Sequence, residues 1–149
     1  MTDNERLAEL LFPNISWTPQ QYEEQYPARQ LPEGARVTRF SPSPTGYLHI
    51  GGLFAAMTAR LTAKATSGVF FLRIEDTDKK REVEGGVTAI VTGLAAFGIT
   101  PDEGITGLGT ESGVYGPYQQ SKRREIYQCF AKELVRQGLA YPCFCTEAE

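Results

Sequence analysis

The chain has 149 residues, 41% of them hydrophobic and 22% charged, with a formal net charge of −3. That length suffices for one domain with a real core, and an acidic balance excludes binding to nucleic acid through bulk positive charge. No apolar run approaches the ~20 residues of a membrane span. Three cysteines (Cys129, Cys143 and Cys145) make no disulfide framework. Residues 1–6 lack the basic start and apolar run of a signal peptide, so the cytosol is the expected compartment.

Residues 1–35 read as a helical extension. Leu7, Leu10 and Leu11 keep helical spacing, Thr2 and Glu5 stand at capping-box separation, and Pro13 ends the pattern. Thr18-Pro19-Gln20-Gln21 is a second helix start: a cap, Pro at the first position, and Gln three after the cap. Pro27, Pro32 and Gly34 then predict a loop.

Residues 36–40 predict a short buried strand, and an Ala- and Leu-rich helix follows over 50–67, stopped by Gly68. Residues 69–74, β-branched, aromatic and mostly apolar, predict a strong strand. Strand, helix and strand of this length predict a right-handed βαβ unit with parallel strands. Ligands of such sheets bind at the carboxyl ends of the strands. That rule brings the Ser41–Thr45 turn and Glu75-Asp76-Thr77-Asp78 to one rim. A further helix is expected over 84–97, with Gly98 as its stop. The Gly-rich, polar stretch 99–117 reads as loop. A helix over 121–137 has Ile126, Phe130 and Leu134 on one stripe and Gly138 at its end. Residues 139–144 could begin a strand.

The chemistry centres on His49, the only histidine, at a predicted helix N-terminus. Free N–H groups and the positive end of the helix dipole converge there, which suits phosphate. A neutral imidazole adds a donor for phosphate oxygens. Pro42 and Pro44 stiffen the preceding turn, and Gly51 and Gly52 leave room for a close approach. The plainer reading is a histidine serving only the helix start. Neither a Walker loop nor a G-x-G-x-x-G run is present. Glu75 and Asp76 have the plain reading of a solvated strand end. Lys79-Lys80-Arg81 reads as a solvated charge run. Lys122, Arg123 and Arg124, in a first helical turn, oppose the dipole and hint at an anionic partner.

The run Arg39-Phe40-Ser41-Pro42-Ser43-Pro44-Thr45-Gly46-Tyr47-Leu48-His49-Ile50-Gly51-Gly52 resembles the first ATP-binding motif of class I aminoacyl-tRNA synthetases, the His-Ile-Gly-His type. Its Ser-Pro-Ser-Pro-Thr-Gly part is similar to the bacterial glutamyl branch. Three further blocks agree: Leu72-Arg73-Ile74-Glu75-Asp76-Thr77-Asp78, Tyr115-Gly116-Pro117-Tyr118-Gln119-Gln120-Ser121 and Ala140-Tyr141-Pro142-Cys143-Phe144-Cys145. Gly52 departs from the second His of many class I enzymes, as is common in the bacterial glutamyl group.

The resemblance implies an α/β fold: a partial Rossmann-like parallel sheet with flanking helices, the first half of a class I catalytic domain. Residues 36–142 would form that half, after the extension 1–35 and before a truncated zinc-ribbon-like or insertion segment at 143–149. It implies adenylation of L-glutamate with ATP, then transfer to the 3′ end of tRNA(Glu), with tRNA(Gln) left open. Pro42, Ser43, Pro44, Thr45, Gly46, His49, Ile50, Gly51 and Gly52 would form the ATP motif, and His49 would be the catalytic group that stabilises phosphate charge. Arg39, Ser41, Ser43 and Glu75 would hold glutamate. Arg39 suits its side-chain carboxylate, because a guanidinium fork matches a carboxylate and rejects a neutral amide. Thr77, Asp78 and Arg81 would meet the tRNA acceptor end. Mg2+ would bind largely through ATP oxygens. Cys143 and Cys145 are either partly buried thiols or half of a zinc site completed elsewhere; Cys129 is a packing residue. The full-length protein would be a monomer without membrane contact, and this chain alone an inactive part of it. The rivals are a short paralogue that glutamylates a modified tRNA base, and a non-catalytic nucleotide-binding module.

Overall fold

The computed structural model describes residues 1–146 and Ala148. Its elements run α1 (Asp3–Leu11), α2 (Pro19–Gln25), β1 (Val37–Phe40), α3 (Ile50–Ala65), β2 (Val69–Leu72), α4 (Gly86–Ala96), β3 (Glu103–Gly107), β4 (Thr110–Ser112) and α5 (Arg124–Arg136), with a 3₁₀ turn at Gln120–Arg123. Two compact units result: Ala28–Arg123, and Met1–Pro27 together with the chain from Arg124 onward.

In the second of these units, local capping starts both N-terminal helices. The Thr2 hydroxyl accepts from the Glu5 N–H at 3.2 Å, and the Glu5 carboxylate accepts from the Thr2 N–H at 2.6 Å. Thr18 and Gln21 repeat the arrangement at α2, with Pro19 at its first position. Two orphan N–H groups are satisfied reciprocally in each box. Both helices pack on α5. The Cys129 thiol donates to the Trp17 carbonyl at 3.0 Å, and Lys132 ties Glu9 (2.8 Å) and the Ile15 carbonyl (3.0 Å) to the same helix. The stripe expected on α5 is not its buried one. Cys129 and Val135 are buried, whereas Phe130 and Leu134 are 40% and 45% exposed. Residues 121–123 form the 3₁₀ turn and not the first turn of α5, and Gly138, at φ +71°, ends the helix as expected. Residues 139–144 form no strand.

The Ala28–Arg123 unit is a four-stranded mixed sheet of order β1-β2-β3-β4. β1 pairs parallel with β2 from Val37↔Val69 to Phe40↔Leu72, β2 pairs parallel with β3, and β4 returns antiparallel to β3. With α3 and α4 as crossovers, this is the α/β arrangement expected, with an antiparallel strand added. Phe70, Leu72 and Ile74 form the core with Ala56 and Ala63 of α3 and Ile90 and Leu94 of α4.

Three local expectations change. β1 is not buried: its residues alternate exposed and half-buried, because it is an edge strand of the sheet. α3 stops at Ala65. The Thr66 hydroxyl donates to the Thr62 carbonyl at 3.0 Å, and the Gly68 N–H to Ala63 at 2.8 Å, while a Cβ on Gly68 would stand 1.9 Å from the Arg36 carbonyl oxygen. The stretch 99–117 holds β3 and β4. Gly104, at φ +118°, brings β3 so close to β2 that a Cβ there would lie 2.1 Å from the Leu72 carbonyl oxygen. Only glycine fits such a strand, which is why its composition resembles a loop.

Candidate functional site

The carboxyl ends of β1 and β2 are stitched together by backbone bonds. Arg73 donates to the Phe40 carbonyl (3.0 Å), Glu75 to Pro42 (3.0 Å) and Val83 to Pro44 (2.9 Å). The two prolines have no N–H of their own but supply the carbonyls that receive the neighbouring segment. The expected rim therefore exists, and the turn in it is held from outside as well as by its proline rings.

An open cleft of about 440 Å³ lies along this turn, lined among others by Pro42, Ser43, Thr45, Gly46, His49 and Gly52. His49 is the N-cap of α3, with extended backbone at φ −111° and ψ 171°. Its Nδ1 accepts from the Gly51 N–H at 3.2 Å. Nδ1 is thus the accepting nitrogen in this contact, and Nε2 is the one not engaged in it. The plain reading, a histidine serving the helix start, describes the Nδ1 contact. Both glycines make room for neighbouring side chains. A Cβ on Gly51 would sit 3.0 Å from His49 Cε1, and one on Gly52 2.9 Å from Leu48 Cδ1. Ile50 projects outward, 80% exposed.

Arg39 and Glu75 come together on the rim, Nη1 to Oε1, at 4.0 Å. They lie beside the cleft and not in its lining. Glu75 also accepts from Arg73 Nη2 at 3.0 Å, a partner that sequence reasoning missed. The Arg73 side chain is more buried than either partner, and its Nε is buried without a hydrogen bond among the described residues. Ser41 follows Arg39 on the same turn.

Asp76 is no solvated strand end. It is 1% exposed. Its carboxylate accepts from Ser121 N–H (2.9 Å), Ser121 Oγ (2.6 Å), Gln119 Nε2 (2.8 Å) and Lys79 Nζ (3.2 Å). Burial alone would raise its pKa, but these donors outweigh it and hold the carboxyl at about 2. Three of its four bonds come from residues 43 and 45 positions away, which no local signal could have revealed. The Tyr115–Ser121 block is built into the fold in a similar way. Arg29 forms a two-pronged pair with Glu103 (2.5 and 2.6 Å), which also accepts from the Tyr118 hydroxyl at 2.7 Å. Burial and that bond push the Tyr118 hydroxyl up to about 12.

The tRNA candidates follow the β2 end. Thr77 donates to Gln120 at 3.4 Å, and Arg81 pairs with Asp78 at 2.6 Å. Within the charge run, Lys79 pairs with Glu82 at 2.8 Å and Arg81 with Asp78. Arg123 donates to the Tyr115 (3.4 Å) and Pro117 (2.8 Å) carbonyls. Cys143 and Cys145 are exposed, and hydrogen bonds from Cys145 lower the Cys143 thiol below its usual range. Among the described residues no group of three or more His, Cys, Asp or Glu is arranged to hold a metal ion. Two thiols fall short of the four ligands of structural zinc. Glu147 and Glu149, in the segment expected at 143–149, lie outside the described residues.

The family model for the catalytic domain of class I tRNA synthetases of the E and Q types matches residues 36–149. The chain belongs to this family. Among relatives of this synthetase domain, the glutamate–tRNA ligase of Clostridium perfringens is 54% identical over 97% of the chain, which covers 27% of that protein. That of Acetivibrio thermocellus is 52% identical over 99% of the chain, again 27% of the relative. The chain thus spans about a quarter of the length of the curated relatives it matches. A crystal structure of a glutamate tRNA ligase from Elizabethkingia meningosepticum, in complex with its amino acid, superposes with a TM-score of 0.67 at 43% identity, covering 78% of this chain and 22% of that one. Like these ligases, the synthetase domain carries its motifs on an α/β sheet. Among the described residues no helix is long and apolar enough to cross a membrane.

Proposed function

We propose that this chain supplies the glutamate- and ATP-binding part of a glutamate–tRNA ligase. The observation that carries this reading is the pairing of Arg39 with Glu75, 4.0 Å apart on a stitched rim that runs on to His49. One cation and one anion side by side complement an amino acid bearing a side-chain carboxylate and an ammonium group. Arg39 takes the carboxylate and Glu75 the ammonium, with Ser41 and Ser43 bonding the amino acid from the turn. Arg73 holds the Glu75 carboxylate in place. The 42% and 30% exposure of the Arg39 and Glu75 side chains leaves both open to a ligand.

In the proposed reaction an oxygen of the glutamate α-carboxylate attacks the α-phosphorus of ATP. The bond to pyrophosphate breaks, leaving glutamyl-adenylate. A ribose hydroxyl of the terminal adenosine of tRNA then attacks the activated carbonyl carbon, and AMP departs. The protein contributes position and charge stabilisation, not a nucleophile. His49 offers its Nε2–H to the phosphates, beside the N–H groups at the start of α3. Pro42, Pro44, Thr45, Gly46, Ile50, Gly51 and Gly52 shape this cradle. Thr77, Asp78 and Arg81 face the tRNA end in this reading. Mg2+ would arrive on ATP oxygens and offset their charge. Cys143 and Cys145 would hold zinc only with ligands from elsewhere, and no step uses them. Residues 36–142 act as half of a catalytic domain, residues 1–35 as its extension, and 143–149 as the beginning of a further segment.

Calorimetric titration tests the reading. The chain should bind L-glutamate and ATP, with Arg39→Ala abolishing the first and His49→Ala weakening the second. Binding unchanged in both variants would leave a relic pocket and overturn the proposal. Robust glutamate-dependent ATP–pyrophosphate exchange from these 149 residues would overturn the view that the chain is incomplete for catalysis.

A further inference from the structure

Asp76 takes no part in the reaction as proposed, yet it is the only charged residue among the buried side chains described. Taking a carboxylate out of water is costly unless donors surround it. Here four donors do so, three of them from Gln119 and Ser121 and one from Lys79. The grip is reinforced by backbone. Ile74 donates to the Tyr118 carbonyl and Gln120 to the Ile74 carbonyl, both at 2.9 Å, forming an isolated parallel bridge beyond the end of β2.

Glu75 lies between these two anchors. Ile74 is clamped on one side, Asp76 on the other, and the Glu75 N–H itself donates to Pro42 at 3.0 Å. The backbone of Glu75 is thus fixed, and its carboxylate meets Arg73 at 3.0 Å. A binding group held to within a fraction of an ångström requires this kind of support.

We propose that Asp76 is the positioning residue of the amino-acid site: its buried carboxylate fastens residues 119–121 to the end of β2 and fixes the backbone on which Glu75 stands. The proposal rests on the reading of Glu75 as the contact for the substrate ammonium. It also assigns a task to the Gln119-Gln120-Ser121 block that the reaction itself leaves without one.

Asp76→Asn keeps the shape but turns an NH2 group toward donors. Ser121→Ala removes one donor and leaves the backbone N–H bond to Asp76 intact. Titration with L-glutamate and with ATP is combined with residue-resolved amide hydrogen exchange. Loss of charge-assisted bonds predicts about tenfold weaker L-glutamate binding in Asp76→Asn, with ATP affinity held within about twofold. The Ile74, Glu75 and Gln120 amides should exchange roughly tenfold faster, since local opening becomes easier. Ser121→Ala should shift the same readouts in the same direction by a smaller factor, and it carries the test if Asp76→Asn does not fold. Unchanged exchange, unchanged glutamate affinity, or equal loss of ATP and glutamate overturns the proposal. If the unsubstituted chain binds no L-glutamate, the proposed function fails, and the exchange arm alone decides whether Asp76 fixes this backbone.

Discussion

Replacing His49 by Asn separates the two tasks of this residue. The imidazole Nδ1 caps Gly51 at 3.2 Å, and in the proposed function Nε2–H serves phosphate. Asparagine is among the best N-caps, so the cap survives and the stability of α3 should change by no more than a few tenths of a kcal/mol (about 0.3). The Nε2 donor does not survive. A hydrogen bond to a charged group contributes about 1.5–3 kcal/mol, so ATP affinity should fall roughly 10- to 100-fold. His49→Ala loses cap and donor together. It should show the same affinity loss and a further ~1 kcal/mol of destabilisation. Calorimetry with ATP and urea unfolding of the three proteins read the two effects separately. Wild-type ATP affinity in His49→Asn would refute the donor role. Equal destabilisation of the Asn and Ala variants would refute the cap.

Four further outcomes are expected. The Asp76 carboxyl, depressed from 3.8 to about 2, stabilises the fold at pH above 3.8, and this contribution is lost as pH falls through about 2; it amounts to roughly 2 kcal/mol, and urea unfolding from pH 7 down to 2 should show it or contradict it. Glu103→Gln breaks the two-pronged pair with Arg29 and weakens the Tyr118 bond, costing about 2–3 kcal/mol in the same assay; a shift below about 0.5 kcal/mol would mean the network contributes little. Gly104→Ala pushes a methyl group into the Leu72 carbonyl, 2.1 Å away, at a φ of +118°, and should lower stability by roughly 3 kcal/mol or prevent folding; a normal melting temperature would exclude the close approach of β3 to β2. Iodoacetamide should label the exposed Cys143 and Cys145 in the folded chain and reach Cys129 only after unfolding, as mass spectrometry of the modified peptides will tell.

Signals written within a few residues were legible in the sequence. Thr2 with Glu5 and Thr18 with Gln21 announce helix starts because both halves of each box lie three residues apart. The parallel pairing of β1 and β2 was legible from their spacing around α3, and with it the shared rim of Arg39 and Glu75. What stayed hidden depends on distant partners. Gly104 belongs to a strand only because Leu72 stands beside it. Asp76 looks like any acidic strand end until Ser121 is brought to it. Arg73 stands two residues before Glu75, on the same side of an extended chain, a spacing that permits their bond but that any alternating strand end also shows. The stripe on α5 misled because Ile126, Phe130 and Leu134 fit helical spacing, whereas its packing buries Cys129 and Val135.

The strand order β1-β2-β3-β4 has a consequence for how the sheet is made. Each of β2, β3 and β4 pairs with the strand synthesised immediately before it. The two parallel pairings each close about 30 residues around a helix, and only the β3–β4 hairpin closes a short loop, so the entropy of closure falls mainly on the parallel steps. Until β2 arrives, β1 is a lone extended segment with both edges bare; each later strand caps the last edge laid down. The sheet grows in one direction, as the chain does.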